Sequence, residues 1–261
     1  MTDESGSDES RFSRFGLPVV GVVGLLTIWW LSTIVFHISP FLLPSPWDIV
    51  KAFIELPTVM LREAWTTLYE TLLGFGIATI IALTVALLIT SLRPVGRAVM
   101  PLLVTINSVP KLAVAPLLVI WMGFGATPKI IMVMLICFFP IVLSAAAGLR
   151  STPSDFDELA RSLSASRWKT FLKVRLPWAL PQIFTGLKVA ISLAVIGAVV
   201  AELSGAEHGL GFVVVSSSQQ ASTAQAFAAV VLLSIESLGL FYTLVGLERL
   251  LLPWVKATTT A

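Results

Sequence analysis

Long apolar segments separated by short polar ones dominate the pattern of this chain. The apolar segments lie at Leu17–Phe36 and at about residues 69–92, 98–122, 130–149, 181–203 and 226–247. A helix that crosses the hydrocarbon core of a bilayer needs about 20 apolar residues. The strands of a β-barrel would alternate apolar and polar residues, and these segments do not. The pattern therefore predicts an all-α membrane protein with six transmembrane helices.

The third apolar segment differs from the others because Pro101, Pro110 and Pro116 interrupt it. Proline removes a backbone donor and distorts a helix. Such breaks are tolerated at membrane depth where the helix is buried in protein or lines a water-filled cavity. We therefore expect Asn107, Ser108 and the stretch from Pro110 through Pro116 to line a translocation path.

Two ionisable residues within the apolar segments, Lys111 and Glu236, are candidates for the same path. Charged groups inside a membrane are costly, and they usually line cavities or pair with one another. Either the two residues act on the path, as a pair or separately, or they are structural or snorkelling side chains away from it. Lys188 lies near an inner end, where snorkelling is expected.

Composition agrees with a membrane protein. The 261 residues are 56% hydrophobic and 12% charged, whereas soluble domains carry about 25% charged residues. The formal net charge is +2 and the cations are dispersed, which argues against a nucleic-acid partner. We expect residues 1–16 to be a disordered cytoplasmic tail, residues 17–255 to be a single transmembrane domain, and residues 256–261 to be a short C-terminal tail.

The distribution of Lys and Arg predicts the orientation of the chain. With the N-terminus inside, the inner segments hold eleven of these residues and the outer segments hold three. Inner loops of membrane proteins are enriched in Lys and Arg. The sequence therefore predicts a multi-pass protein of the cell membrane with both termini in the cytoplasm.

Many of the ions lie in one inner segment, "DELARSLSASRWKTFLKVRLP" (Asp157–Pro177), between the fourth and fifth apolar segments. Its pattern predicts two short helices joined by a turn at Ser164–Ser166, and the second helix is expected to end at Leu176-Pro177. Such a segment is too polar to insert into the bilayer. It could be a docking surface, or a positively charged loop held against lipid headgroups.

The spacing of Glu158, Ala160 and Ser164, followed by Val174-x-Leu176-Pro177, resembles the EAA loop of ABC-importer permeases. That pattern reads E-A-A, three residues, G, nine residues, I-x-L-P. Every offset matches over about 20 residues, although Ser164 stands where the family usually has Gly. Because Gly at that position would serve a backbone with positive φ, a strained or altered turn is expected here.

The resemblance implies that residues 150–177 form coupling helices that sit in a cleft of a cytoplasmic ATPase subunit. It also implies a second copy of this chain, two ATPase subunits and an external solute-binding protein as partners. The residues that carry this expectation are Asp155, Glu158, Ala160, Arg161, Ser164, Ala165, Ser166, Trp168, Leu176 and Pro177.

Further stretches are similar to permeases of the nitrate/sulfonate/taurine group. They are "LPSPWDIV", "VPKLAVAPLLVIWMGFG" (Val109–Gly125), "FFP" (Phe138–Pro140) and "AELSGAEHGLGF" (Ala201–Phe212). Some members of the group are thought to carry pyrimidine thiamine precursors or flavins. The resemblance therefore implies a small polar organic or anionic solute. In the last stretch, Gly209, Leu210 and Gly211 could form a turn into a short helix at the rim of an outer gate, or this outer segment could be a solvated loop only.

The sequence contains no G-x-x-x-x-G-K-[ST] phosphate loop, so ATP and Mg²⁺ are expected on a partner ATPase rather than on this chain. Constellations typical of metal sites or of nucleophilic catalysis are also missing, and His208 stands alone. The sequence thus predicts a transport subunit that is not an enzyme. The alternatives are a secondary transporter that uses Lys111 and Glu236, and a membrane anchor for a cytoplasmic partner.

Overall fold

The computed structural model of the chain describes residues 17–254, without the side chains of residues 17–19, 93, 157 and 161. Within that range the regular secondary structure is helical throughout. The two predicted tails, residues 1–16 and 256–261, lie outside the described residues.

Eleven α-helices follow one another along the described chain, and a π-helical turn (Phe171–Arg175) joins the eighth to the ninth. The helices are α1 (Leu17–Val35), α2 (Pro46–Glu55), α3 (Pro57–Ser91), α4 (Arg93–Asn107), α5 (Lys111–Met122), α6 (Ala126–Arg150), α7 (Ser154–Ser162), α8 (Arg167–Thr170), α9 (Leu176–Leu203), α10 (Leu210–Gln219) and α11 (Thr223–Leu251).

The chain forms two compact units. Of the described residues, the smaller unit contains those up to Met60 together with Val213–Val230, and the larger contains Leu61–Phe212 together with those from Val231 to Trp254. In the smaller unit, a capping box starts α2. The Asp48 amide donates to the Ser45 hydroxyl at 3.3 Å, and the Ser45 amide donates to the Asp48 carboxylate at 2.9 Å. This pairing satisfies two amide donors at the helix start.

The core of the larger unit is the close packing of α6 against α9. A Cβ atom built on Gly148 would stand 2.9 Å from the Ala179 carbonyl oxygen, and one on Gly186 would collide with Ser144. Between apolar helices in a membrane, small residues permit close backbone contact and so provide van der Waals attraction. The "SAAAG" stretch (Ser144–Gly148) supplies such small residues on the α6 side of this contact.

Four helical stretches are long and apolar enough to cross a membrane: α3, α6, the continuous stretch Arg167–Leu203, and α11. The pair α4–α5 could form a fifth crossing, but it bends by 88°. The third apolar segment is therefore not one straight helix. Its break falls at Ser108–Pro110, whereas Pro101 and Pro116 lie inside helices. The position before a proline disfavours helical backbone, which explains a break at Val109-Pro110.

The sequence led us to expect that the second loop helix would end at Leu176-Pro177. The structure shows that it does not. The chain continues through Pro177 into α9, and the Leu176 amide donates to the Phe171 carbonyl, five residues earlier. Proline lacks a backbone donor and its ring crowds the carbonyl four residues before it. The wider π-helical turn accommodates Pro177 without breaking the helix.

Two glycines on α3 provide a matched test of close packing in the larger unit. A Cβ atom on Gly74 would stand 2.7 Å from Val133 Cβ and 2.8 Å from the Ile130 carbonyl oxygen, whereas nothing lies within 4 Å of one on Gly76. We expect Gly74→Ala to reduce the free energy of unfolding by about 1–3 kcal/mol, because α3 and α6 must separate.

Gly76→Ala should be neutral or should stabilise by up to about 1 kcal/mol, because alanine favours the helix. Melting temperatures of both variants and the parent protein in one detergent would check this. Equal shifts for the two variants would contradict the packing described for α3.

Candidate functional site

Apart from Glu236, which is on α11, the predicted site residues lie at the two ends of the α6–α9 pair and along the broken helix α4–α5. The C-terminus of α6 and the N-terminus of α9 are joined by the loop that contains α7 and α8. The other end of the pair holds the start of α6 and the turn from α9 into α10. The loop and this turn therefore lie at opposite ends of two packed helices.

The loop forms the two short helices and the tight turn that its sequence predicts. Ser164 has φ of 52°, and the Ala165 amide donates to the Ala160 carbonyl oxygen at 2.9 Å. Ser166 then starts α8, and its hydroxyl accepts from the Lys169 amide. Of the two shapes expected for this turn, strained or altered, the structure shows the strained one, because φ at Ser164 is positive. Ser164 adopts this backbone with a side chain present, which costs conformational energy.

The loop is anchored on one side and exposed on the other. Ala160 is buried, and the Phe156 ring lies 5.4 Å from that of Trp178 at the start of α9. Leu163 and Trp168 are 72% and 66% exposed on either side of the turn. The remaining predicted residues Asp155 and Glu158 are exposed, and for Arg161 only the backbone, within α7, is described.

Four of the predicted path residues, Asn107, Ser108, Pro110 and Lys111, lie at the break between α4 and α5. Lys111 is the first residue of α5, and its Nζ donates to Asn107 Oδ1, at the end of α4, at 2.6 Å. Ser108 Oγ donates to the Val104 carbonyl oxygen at 3.0 Å. Pro110 precedes α5 in an extended conformation, while Pro116 lies within it. One polar side-chain contact thus bridges the bend.

Glu236 is not brought to Lys111. It lies on α11, and its Oε2 is buried without a hydrogen-bond partner among the described residues. Lys111 binds Asn107 instead, so the suggested pairing of these two charges is wrong for this structure. Lys188 does not simply snorkel either, because its Nζ pairs with Glu248 Oε2 at 2.8 Å.

The turn before α10 is held by side chains that are distant in sequence. Gly209 has φ of 113°. Its amide donates to Glu63 Oε2 at 2.7 Å, the Leu210 amide to Thr67 Oγ1 at 2.9 Å, and the Gly211 amide to Glu202 Oε2 at 2.6 Å. The expected turn into a short helix at Gly209–Gly211 is confirmed, and three successive amides have buried side-chain acceptors.

A buried ion pair lies beside this turn. Lys129 Nζ lies 2.7 Å from Glu70 Oε1 and donates to the His208 carbonyl oxygen at 3.1 Å, and both charged side chains are less than 5% exposed. A cavity of about 270 Å³, lined by Glu70, Lys129 and His208 among others, adjoins the pair. Among the side chains that the structure describes, no group of three or more His, Cys, Asp or Glu could hold a metal ion.

This polar cluster was not among the predicted sites, and its residues are Glu63, Thr67, Glu70, Lys129 and Glu202. A signal was present nevertheless. Glu63, Thr67 and Glu70 are spaced four and three residues apart, which places them on one face of a helix. Three buried polar residues on one helix face, next to an apolar segment, indicate partners inside the protein.

Comparison with known proteins supplies the family. The family described as "Binding-protein-dependent transport system inner membrane component" matches residues 74–257 of the chain. The chain is 34% identical to the formylaminopyrimidine transport permease protein of Halalkalibacterium halodurans, over 92% of this chain and 96% of that protein. It is 33% identical to the taurine transport system permease protein of Escherichia coli, over 88% of this chain and 86% of that protein.

A solved structure shows the same fold. A chain of the MetNI methionine ABC transporter, in an inward-facing conformation, matches with a TM-score of 0.60 and 18% identity, over 74% of this chain and 97% of that chain. The chain is thus a transport subunit of the cell membrane rather than an enzyme, and a separate subunit hydrolyses ATP. The chain belongs to the family of binding-protein-dependent transport system inner membrane components, the permease subunits of ABC importers.

Proposed function

We propose that the loop at residues 150–177 is the surface on which a cytoplasmic ATPase subunit docks, and that two copies of this chain form the pathway of an importer. The observation that carries the proposal is the exposed apolar surface of this helix–turn–helix loop. Leu159, Leu163, Trp168 and Leu172 are all exposed. Exposed apolar groups clustered on an otherwise polar segment mark interaction sites.

The geometry of the loop suits the transmission of movement. Residues Arg167–Leu203 form one continuous helical stretch, so a displacement of α8 would be carried into α9. ATP and Mg²⁺ would bind to the partner subunits. Their closure would draw together the loops of two copies of this chain, and the movement would tilt the membrane helices to open the pathway outward. ATP hydrolysis would then return it to the inward-facing state.

We further propose six crossings with both termini in the cytoplasm. The four long helical stretches and the broken pair α4–α5 would give five. Helix α1 would give the sixth, because its 19 residues are mostly apolar and would extend about 28 Å at 1.5 Å per residue. Its exposed Val20, Ile28 and Val35 suit contact with lipid. Residues 17–255 would then form a single permease domain.

The solute would pass the break between α4 and α5. Discontinuous helices line substrate sites in several transporter classes, because they expose backbone groups at membrane depth. The relatives named above carry taurine and formylaminopyrimidine by their descriptions, which supports a small polar organic or anionic solute. Lys111 would attract an anionic group at the break, while Asn107 holds its ammonium in place.

A secondary transporter driven by an ion gradient through Lys111 and Glu236 is no longer supported. The two side chains make no ion pair with each other, and members of this family work with an ATPase. An external binding protein would deliver the solute to the side opposite the loop. The turn at Gly209, Leu210 and Gly211 would rim the gate there.

The docking surface can be tested with a pair of exposed tryptophans. Trp168→Ala and Glu158→Lys should each reduce co-purification of the ATPase at least about tenfold, because truncation of a central aromatic contact costs 2 kcal/mol or more at many interfaces. Trp47 on α2 is equally exposed, at 69%, so Trp47→Ala is the matched control and should leave the yield unchanged.

Membrane insertion of all three variants should match the parent protein. The proposal fails if Trp168→Ala and Glu158→Lys retain the parent's ATPase yield, or if Trp47→Ala lowers it as much.

The role of Lys111 can be tested by uptake. Lys111→Met should reduce uptake at least about tenfold with little change in melting temperature, since removal of a charge-assisted contact to the solute costs 1.5–3 kcal/mol. Adding Glu236→Gln should restore nothing, because the two residues are not paired. Lys51 on α2 is exposed, so Lys51→Met is the control. Full uptake by Lys111→Met at unchanged stability would contradict a role for Lys111 in the pathway.

A further inference from the structure

The first amides of α10 depend on acceptors from elsewhere in the chain. The first four amides of a helix have no acceptor within the helix, and a Ser, Thr, Asp or Asn just before it commonly supplies one. Gly209 stands before α10 and has no side chain. The acceptors for the amides of residues 209–211 come from two other helices. Helix α3 supplies Glu63 and Thr67, and α9 supplies Glu202.

The turn and its acceptors fit each other closely. A Cβ atom on Gly209 would fall on the Glu202 carboxylate, and one on Gly211 would stand 2.8 Å from both Cβ and Oε2 of Glu202. The φ of 113° at Gly209 would strain any other residue. The glycines thus let the main chain approach the carboxylate to hydrogen-bond distance.

The acceptors are also connected to one another. Thr67 Oγ1 accepts from the Leu210 amide and donates to Glu202 Oε1 at 2.8 Å. Glu63, Thr67 and Glu202 are each no more than 2% exposed. Lys129 Nζ donates a hydrogen bond to the carbonyl oxygen of His208, the residue before Gly209. Four successive residues, 208–211, are therefore fixed through their main chain by buried side chains.

We propose that Glu63, Thr67 and Glu202 are positioning residues that hold the turn at residues 208–211 and the first turn of α10, and so set the geometry of the outer gate. The role at the gate rests on the proposed function. Side-chain carboxyl oxygens suit this task because they accept hydrogen bonds from backbone amides. Water cannot replace them at a site that is closed to solvent.

Thr67 offers a test that changes no volume. Thr67→Val keeps the shape of the side chain but removes the hydroxyl, which leaves the Leu210 amide and Glu202 Oε1 without their shared partner. Thr67→Ser restores the hydroxyl. Thr71 lies one turn further along α3, is equally buried, and its Oγ1 has no hydrogen-bond partner. Thr71→Val is therefore a control with the same chemical change and no bond to lose.

Hydrogen–deuterium exchange of the chain, reconstituted with its ATPase partner in nanodiscs, would directly measure how well the amides of this turn are protected by their hydrogen bonds. We expect the amides at 209–211 to exchange slowly in the parent protein and about tenfold or more faster in Thr67→Val, as expected for loss of a buried hydrogen bond. The increase should be confined to residues 204–219. Thr67→Ser should restore slow exchange, and Thr71→Val should match the parent.

A second measurement separates positioning from simple destabilisation. The amount of solute transported per ATP hydrolysed should fall at least about threefold in Thr67→Val and recover in Thr67→Ser, while ATPase co-purification stays unchanged. Fast exchange at 209–211 in the parent protein would overturn the proposal without any variant. The proposal would also be overturned if Thr71→Val increased exchange at 209–211 as much as Thr67→Val does. It would be overturned as well if exchange became faster along the whole Thr67→Val chain while the amount of solute transported per ATP stayed unchanged. Absence of transport in the parent would instead count against the proposed function.

Discussion

The burial of charge in a low-polarity environment is the constraint on which the rest of this structure depends. Lys129 is the one Lys or Arg among the described residues that is fully buried, and it meets Glu70 at 2.7 Å. Because an uncompensated buried charge is strongly destabilising, α3 and α6 must lie where this pair can form. The same lysine binds the His208 carbonyl oxygen, which places the turn that follows α9.

The buried Lys129 lies on α6, which packs closely against α9 along its length. Small residues let these helices meet at backbone distance, as at Gly148 and Ala179, so the two ends of the pair are held at a fixed separation. One end carries the loop proposed to dock an ATPase, and the other carries the turn proposed to rim the outer gate. A rigid pair between them is a physical means by which movement at the loop could reach the turn.

The sequence predicted the elements that depend on local pattern. The apolar segments, the helix–turn–helix loop and the turn at Gly209 all follow from hydrophobic length, local polarity and glycine. A strained or altered turn at Ser164 was expected because the matching family position is Gly, and the structure shows the strained turn. The continuation through Pro177 was missed, because a π-helical turn depends on bonds that spacing does not show.

The parts that the sequence did not predict depend on contacts between distant residues. Glu63 and Gly209 are far apart in the chain, and only the fold brings the carboxylate to the amide. The pairing of Lys111 with Asn107 rather than Glu236 likewise depends on the bend between α4 and α5. Depth along a segment suggests which charges could meet, but it does not give the direction in which each helix face points.

The most direct measurement of the central claim is ATP hydrolysis in proteoliposomes with controlled sides. The purified chain would be reconstituted with its ATPase and ATP on one face, and the binding protein, with the solute it carries when purified, would be added to the other. The account predicts that hydrolysis is stimulated only when this chain is present and the binding protein is on the face opposite the ATPase. Stimulation from the same face, or without this chain, would contradict the account.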